Sequence, residues 1–370
     1  MKSYDAIIVG AGIAGLSVAR ELAKLKQRVL VLEREKAGGE TSRAAAGILD
    51  PYTEAEEEAP LYHLGKEAFN FYPSFLEEIT GSHKELVEYQ KLGVLYLALN
   101  AKDEAFLKNR FEWQKKQKLP VEFLSRDQTK KLEPLVSERT QSGVFYPEIP
   151  KLNAEKLTRA LFKAAEQAGV KIETGIKDAS LWKEEKVRGV RVSSESFEAP
   201  VVVMSRGCWS GMEEGLGVQL KVKPMRGQIL ILRATPETYP RHILHTIRYA
   251  YIIPWPEGRI LVGSTIEPAG FDNSVTPEGK EDILNRAGEI LEGIDAMPVE
   301  KSWAGLRPFS ENGRPVIGPT GLGGAFFATG YYRSGILIGP YVGKLLAEGI
   351  VTGRFSPLLK PFYPEIGGSS

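Results

Sequence analysis

The chain has 370 residues, 42% hydrophobic and 26% charged, with 48 basic and 47 acidic side chains for a net charge of +1. The length suits two domains of ordinary size or one large one, and the charge balance offers no basic excess to nucleic acid or to a membrane surface. One cysteine, Cys208, excludes an intrachain disulfide and fits a reducing compartment, so a cytoplasmic location is expected. No uninterrupted apolar run reaches the roughly 20 residues of a membrane-spanning helix, and no transmembrane segment is expected.

Residues 1–19 have the apolarity of a secretory leader, but Asp5 interrupts them and their glycine spacing has a better explanation. Residues 4–10 (YDAIIVG) read as a strand. Residues 14–26 read as a helix with Leu16, Ala19, Leu22, Ala23 and Leu25 on one side and Arg20, Glu21 and Lys24 on the other. RVLVLE (28–33) closes a βαβ unit. A small-residue segment, 37–51, follows with little periodicity. Residues 61–79 and 103–117 read as amphipathic helices and 91–99 as a strand. Residues 153–169 form a capped helix, with Asn153 to start it and Gly169 to stop it. Three strand-like pieces (170–175, 186–194 and 199–205) come next. Residues 227–234 and 249–265 carry the alternation of antiparallel hairpins, 276–293 look helical, and a strand (325–330) and a helix (335–350) end the fold. The terminal GGSS reads as a scar without fold signal. The fold class expected is α/β. A discontinuous nucleotide-binding domain (1–85, 150–222 and 303–366) carries an antiparallel β-sheet substrate domain built from insertions (86–149 and 223–302).

Gly10, Gly12 and Gly15 have G-x-G-x-x-G spacing. The first permits a tight turn, the second lets backbone approach a pyrophosphate at a helix N-terminus, and the third lets helix and strand pack closely. A lone GxGxxG is weak, but this one follows a strand, opens a helix and is followed by Glu33 at the end of the next strand. A carboxylate there accepts hydrogen bonds from ribose hydroxyls and disfavours a 2′-phosphate, against which Arg34 is a small reservation. Thr41, Ser42 and the small residues after them can lie along an extended FAD, where an NAD dehydrogenase would resume its βαβ rhythm. The plainer alternatives are a glycine-rich turn and a surface loop.

Two arginines stand in apolar frames: Arg307 in WAGLRPF and Arg333 in GYYRSGILIGP. An arginine cannot shed its proton, so burying it requires an anion. Sequence alone leaves open whether that anion is a ligand or a partner in a structural ion pair. His242 and His245 are spaced i, i+3 with no further ligand nearby, so they read as surface histidines and no metal is expected. Cys208 reads as packing, and 182–191 as a solvated charged hairpin.

The segments IIVGAGIAG, VLVLERE, TSRAAAGIL, VVVMSRGCWSG, AYIIPWPEGRILVGST, WAGLRPFSENGRPVIGP and GYYRSGILIGP together resemble the FAD-dependent amine and amino-acid oxidase family, which includes D-amino-acid oxidase and sarcosine oxidase. The likeness is strongest to the glycine oxidases of thiamin biosynthesis and covers residues 3–350. It implies that Arg307 clamps a substrate carboxylate, that Tyr251 and Arg333 also contact it, and that Ile48 stands near the flavin where glycine oxidases often carry methionine. It implies FAD contacts at Ile13, Ala14, Glu33, Arg34, Thr41, Ser42, Ala46, Gly47 and Ile176. The stretch Tyr331, Tyr332, Arg333, Ser334, Gly335, Ile336 and Leu337 would lie beneath the flavin pyrimidine. No cysteine follows Cys208, so the late flavin tether of monomeric sarcosine oxidases is missing and FAD is expected to be non-covalent. Ser205 and Arg206 depart from the small residues usual there. The activity implied is oxidation of glycine or another small amino acid by hydride transfer to flavin N5, giving an imino acid and hydrogen peroxide. Dioxygen would be the acceptor, and a homo-oligomer is implied. A D-amino-acid oxidase or dehydrogenase, a sarcosine oxidase and a non-catalytic FAD-binding module are the alternatives.

Overall fold

The computed structural model describes residues 2–53, 59–81, 83–193, 195–212, 216, 218, 220–247 and 250–365, so the terminal GGSS lies outside the described residues. The chain divides into two compact units: Met1–Glu88, Leu152–Met225 and Leu306–Ser370 form the first, Tyr89–Lys151 and Arg226–Gly305 the second.

The first unit is built on a six-stranded sheet. Its strands are β1 (Ala6–Val9), β2 (Val29–Leu32), β3 (Lys171–Glu173), β4 (Val201–Met204), β5 (Val316–Pro319) and β6 (Ala325–Thr329), in the order β5-β6-β4-β1-β2-β3. All neighbours are parallel except β5 and β6. Every residue of β1 and β2 is buried. That is why both read as unbroken apolar runs: a parallel sheet is covered on both faces, so no alternation survives. A core of residues including Ile7, Leu30, Val202 and Phe327 packs on this sheet, each such side chain worth about 1.5–3 kcal/mol when fully buried.

Its longer helices are α1 (Ile13–Lys24), α2 (Pro60–Thr80), α3 (Ala154–Gln167) and α4 (Gly335–Thr352). Gly343 lets α4 lie against α1, since a Cβ there would come within 2.5 Å of the Ser17 side chain. Asn153 caps α3 by accepting from the Lys156 N–H, and Gly169 takes φ +92° just after the helix. Arg20 and Glu21, assigned to a solvent face from the helical wheel, are instead buried. They bond each other at 2.7 Å, and Arg20 also reaches Glu78 of α2 at 2.7 Å. Glu78, reaching in from α2, brings the charge that makes the burial tolerable. Among the described residues only α4 is long and apolar enough to cross a membrane, and most of it is buried inside the protein.

The second unit is built on an eight-stranded sheet, two of whose strands, Val222–Arg233 and Val299–Ser310, extend past its bounds. Its strand order is Val299–Ser310, Val222–Arg233, Arg259–Gly263, Tyr251–Trp255, Ile243–Thr246, Val94–Ala98, Ser142–Tyr146 and Glu122–Ser125. It is antiparallel at the pairings 251–255 with 259–263 and 94–98 with 142–146. Ile243–Thr246 pairs in parallel with Val94–Ala98, a strand far away in sequence. The helix read over 276–293 ends sooner, as Pro277–Gly288, and a single turn at Ile294–Ala296 follows. A core including Leu95, Leu230, Ile252, Val262 and Ile283 lies under this sheet.

Candidate active site

A cleft opens in the first unit around the N-terminus of α1. Gly10 and Gly12 form its floor with Ile13 and Ala14. Gly10 has φ +109°, and a Cβ on it would meet the Ser205 carbonyl oxygen at 2.4 Å, so backbone freedom and close approach are both needed there. A Cβ on Gly15 would sit 1.9 Å from the Gly10 carbonyl oxygen and 2.6 Å from Ser205 Oγ. Gly15 therefore belongs to the packing beneath the turn rather than to the cleft lining. The Ser205 hydroxyl donates to the Val9 carbonyl at 3.1 Å, tying β4 to the end of β1.

Glu33 ends β2 and lines the same cleft. Its Oε2 accepts from the Ala11 N–H at 2.7 Å and its Oε1 from the Glu35 N–H at 3.0 Å. These bonds fix the carboxylate while each oxygen keeps a further lone pair for a ribose hydroxyl. Arg34 stacks on Trp209, its guanidinium carbon 3.8 Å from the ring centre, and bonds Glu40 at 3.1 Å. Trp209, Glu40, Arg206, Pro308 and Ala179 all line the cleft and were not among the residues expected there. The bulk of Arg206 in RGCWSG is the signal in the sequence that points to this wall. Thr41 and Ser42 lie in a one-turn helix, Thr41–Ala44, within the segment read as irregular. The Ile13 N–H donates to Ser42 Oγ at 3.0 Å, and the Thr41 hydroxyl donates to the Leu306 carbonyl.

Ile176, Tyr331, Tyr332, Arg333, Gly335 and Ile336 complete the lining from the far strands and from the start of α4. Ala46, Gly47, Ile48, Ser334 and Leu337 are outside it. Gly47 is instead a pinning point: the Leu152 N–H donates to its carbonyl at 2.9 Å, and a Cβ on it would strike the Leu152 carbonyl oxygen. Ser334 precedes α4 but gives its hydroxyl to the Tyr331 carbonyl, so it does not cap the helix. The N-cap side chain thus leaves the first N–H groups of α4 uncapped, where a helix start has no intrahelical acceptor to offer them.

Both arginines belong to this unit. Arg307 alternates with Leu306 and Pro308 along its strand, so they are buried and it is only half-buried. Arg333 is also half-buried, in the turn before α4. Neither is a core residue, as their apolar neighbours had implied, because strand alternation and a turn lift the charged groups out. The Tyr332 N–H donates to the Pro308 carbonyl at 3.1 Å. That bond joins the neighbours of both arginines, and the Phe309 and Tyr332 rings pack edge to face beside it, centroids 4.9 Å apart.

In the second unit Tyr251 is buried, and its ring occupies the space that a Cβ on Gly263 would take, with the hydroxyl oxygen 2.7 Å from that point. His245 stacks on Tyr96 at 4.5 Å and lies 5.8 Å from the Tyr251 ring. Its Nδ1 is 2.8 Å from the Thr246 carbonyl. His245 is thus not the surface histidine its sequence spacing indicated. It pairs with Tyr251 in the strand register and is buried in an aromatic stack. His242 approaches the buried Glu133, with Nδ1 at 3.3 Å from the carboxylate. Among the described residues no cluster of three metal-ligating side chains occurs. Cys208 is buried beside the cleft residues Gly207 and Trp209, and burial, with help from the Glu40 charge, pushes its thiol up to about 12.

The cleft fits a flavin dinucleotide. It has the glycine turn at a helix N-terminus, a fixed carboxylate at the end of β2, and the start of α4, which its N-cap side chain does not cap. The Tyr331 hydroxyl, buried on its wall, has no hydrogen-bond partner among the described residues. These features define a flavin-dependent oxidoreductase. Residues 5–349 match the sequence profile of the FAD dependent oxidoreductase family, and the chain belongs to that family. It is 31% identical over 363 residues to the glycine oxidase of Pseudomonas aeruginosa, covering 97% of each chain. The crystal structure of glycine oxidase from Geobacillus kaustophilus superposes with a TM-score of 0.91 at 28% identity, covering 100% of both chains. Iminodiacetate oxidase from Chelativorans sp. BNC1 follows at 0.87 and 25%, covering 97% of this chain and 98% of that one. The protein is an FAD-dependent enzyme of this α/β fold.

Proposed function

We propose that this enzyme is an amino-acid oxidase that acts on glycine or another small amino acid, giving an imino acid and hydrogen peroxide. The observation that carries the reading is the Tyr332–Pro308 hydrogen bond, which joins the chain neighbours of Arg307 and Arg333, with Pro308 and Arg333 both on the cleft lining. Two guanidinium groups there suit a substrate carboxylate, which a planar fork can hold in two parallel hydrogen bonds. The similarity to glycine oxidases along the whole chain supports the same substrate class.

In this reading Met1–Glu88, Leu152–Met225 and Leu306–Ser370 make the FAD-binding domain, and the antiparallel unit makes the substrate domain. Gly10, Gly12, Ile13 and Ala14 would hold the pyrophosphate, Glu33 the ribose, and the start of α4 the flavin pyrimidine edge. Bound FAD would supply the two-electron acceptor that takes the hydride from the α-carbon, and dioxygen would regenerate it. Arg307 and Arg333 would fix the carboxylate and the Tyr251 hydroxyl would hydrogen-bond it, leaving the α-carbon one orientation. The neutral amine lone pair assists departure of the hydride, so no side-chain base is assigned. FAD is non-covalent in this reading: the single cysteine is buried, outside the cleft lining, and its raised pKa keeps it a poor nucleophile. A cytoplasmic, homo-oligomeric enzyme is part of the same proposal.

The test is anaerobic bleaching of the flavin absorbance by a panel of glycine, sarcosine, iminodiacetate and matched D- and L-amino acids. Glycine or a small amine should bleach fastest. A large L-amino acid winning by more than about tenfold, ~1.4 kcal/mol in the transition state, would overturn the substrate assignment. Acid precipitation should release all the flavin into the supernatant, and yellow colour in the washed pellet would overturn the non-covalent assignment.

A further inference from the structure

In an α-helix the carbonyl of residue i accepts from the N–H of residue i+4. For Ile336 in α4 that donor would be residue 340, and residue 340 is proline. A proline has no N–H, and its ring pushes the i−4 carbonyl aside. The Ile336 carbonyl is therefore left without its helical donor, in a stretch where Ile336, Leu337, Ile338, Gly339 and Pro340 are all buried. A buried carbonyl in that state is costly unless another donor reaches it.

Tyr72 of α2 is that donor. Its hydroxyl bonds the Ile336 carbonyl at 2.8 Å across 264 residues of sequence, and Tyr72 is only 1% exposed. Phe75 packs edge-on to its ring, with centroids 5.6 Å apart. The helical bond from the Ile338 N–H to the Ser334 carbonyl is intact at 2.9 Å. So one rung of the ladder in this opening stretch is supplied from outside the helix, at the residue that lines the cleft.

We propose that Tyr72 is a positioning residue for the cofactor. By standing in for the amide that Pro340 lacks, it holds the first turn of α4 in the orientation from which its free N–H groups meet the flavin. The inference rests on the flavin-facing role given to α4 above. Tyr72 does not line the cleft, so the effect proposed for it passes through the Ile336 carbonyl.

The test is a double-mutant cycle of Tyr72→Phe and Pro340→Ala. It is read by the FAD dissociation constant of the apoprotein, the midpoint potential of the bound flavin, and amide hydrogen exchange over residues 335–342. Tyr72→Phe should weaken FAD about tenfold, the scale of one orphaned buried carbonyl, lower the midpoint potential and speed exchange at the start of α4. In the Pro340→Ala background residue 340 regains an N–H, and Tyr72→Phe should then change FAD affinity by less than about twofold. Equal losses in both backgrounds would mean that the hydroxyl acts elsewhere. Faster exchange with unchanged FAD affinity and potential would make Tyr72 merely structural. Either result overturns the proposal. If Tyr72→Phe alone fails to fold, the double variant should fold, and its failure too would count against the idea. None of these readouts uses a substrate, so an enzyme that ignores glycine would refute the substrate assignment and leave this cycle intact.

Discussion

The two units build their chemistry from different materials. Around the cleft of the first, the groups that matter are mostly backbone: the turn at Gly10 and Gly12, the N–H groups opening α1 and α4, the Ile13 amide that holds Ser42, and the carbonyls that hold Thr41 and Tyr332. In the second, Tyr251 is held by side chains, with His245 and Tyr96 stacked beside it and the bare Gly263 leaving it space. A backbone site tolerates almost no change in chain path, because amides cannot be moved without moving the fold. A side-chain site tolerates truncation at the expense of affinity and orientation. The first arrangement suits a permanently held cofactor, the second a ligand that must come and go.

This contrast makes graded predictions. The largest effect should come from Arg307, for which the proposal claims a side-chain role in the backbone-built unit. Arg307→Ala should lower kcat/KM with glycine by at least about a hundredfold and leave flavin content unchanged, since losing a charge-assisted pair costs on the order of 2–5 kcal/mol. Arg307→Lys should recover only part, because lysine keeps the charge and loses the fork. Unchanged kinetics in the alanine variant would return Arg307 to a structural ion pair.

Gly15→Ala comes next. Its new methyl would stand 1.9 Å from the Gly10 carbonyl oxygen, against 3.2 Å from the movable Ser42 hydroxyl for Gly12→Ala. The first should cost more than about 3 kcal/mol in thermal or denaturant unfolding and yield flavin-free protein, and the second should fold nearly normally. Equal stability of the two would show that the turn is softer than backbone packing implies.

Tyr251→Phe should raise KM about tenfold, the loss of one hydrogen bond to a charged group, with the absorbance of bound flavin retained. His245→Phe, which keeps a ring in the stack but loses the Thr246 anchor, should raise KM only about two- to fivefold. Loss of flavin from either would erase the distinction between the two units.

The smallest effect concerns Cys208. A thiol whose pKa rises from 9.0 to about 12 on folding keeps its proton longer in the native state. Its stability contribution is therefore full below pH 9 and declines as pH climbs toward 12. A thiol reagent at pH 8 should label unfolded protein fully and native protein hardly at all, and rapid native labelling would contradict the burial.

Much of the cofactor region was legible from the sequence, since short-range rules govern it. Glycine spacing reports where backbone must turn or approach closely, unbroken apolar runs report a sheet covered on both faces, and Asn153 and Gly169 report helix ends. Each depends on residues close together in the chain. The burial of Arg20 and Glu21, the aromatic stack around His245, the place of Trp209 on the cleft wall and the donor supplied by Tyr72 were not legible. Each needs a partner from a remote segment: Glu78 for Arg20, Tyr96 for His245, Arg34 for Trp209, Ile336 for Tyr72. The sequence by itself determined the βαβ fingerprint, the strand and helix types and the residues able to bind an anion. Only the tertiary structure decided which of those residues meet. Strand order and helix packing set distances that periodicity along a single segment does not encode, and a charge or hydroxyl acts through whatever those distances bring within reach.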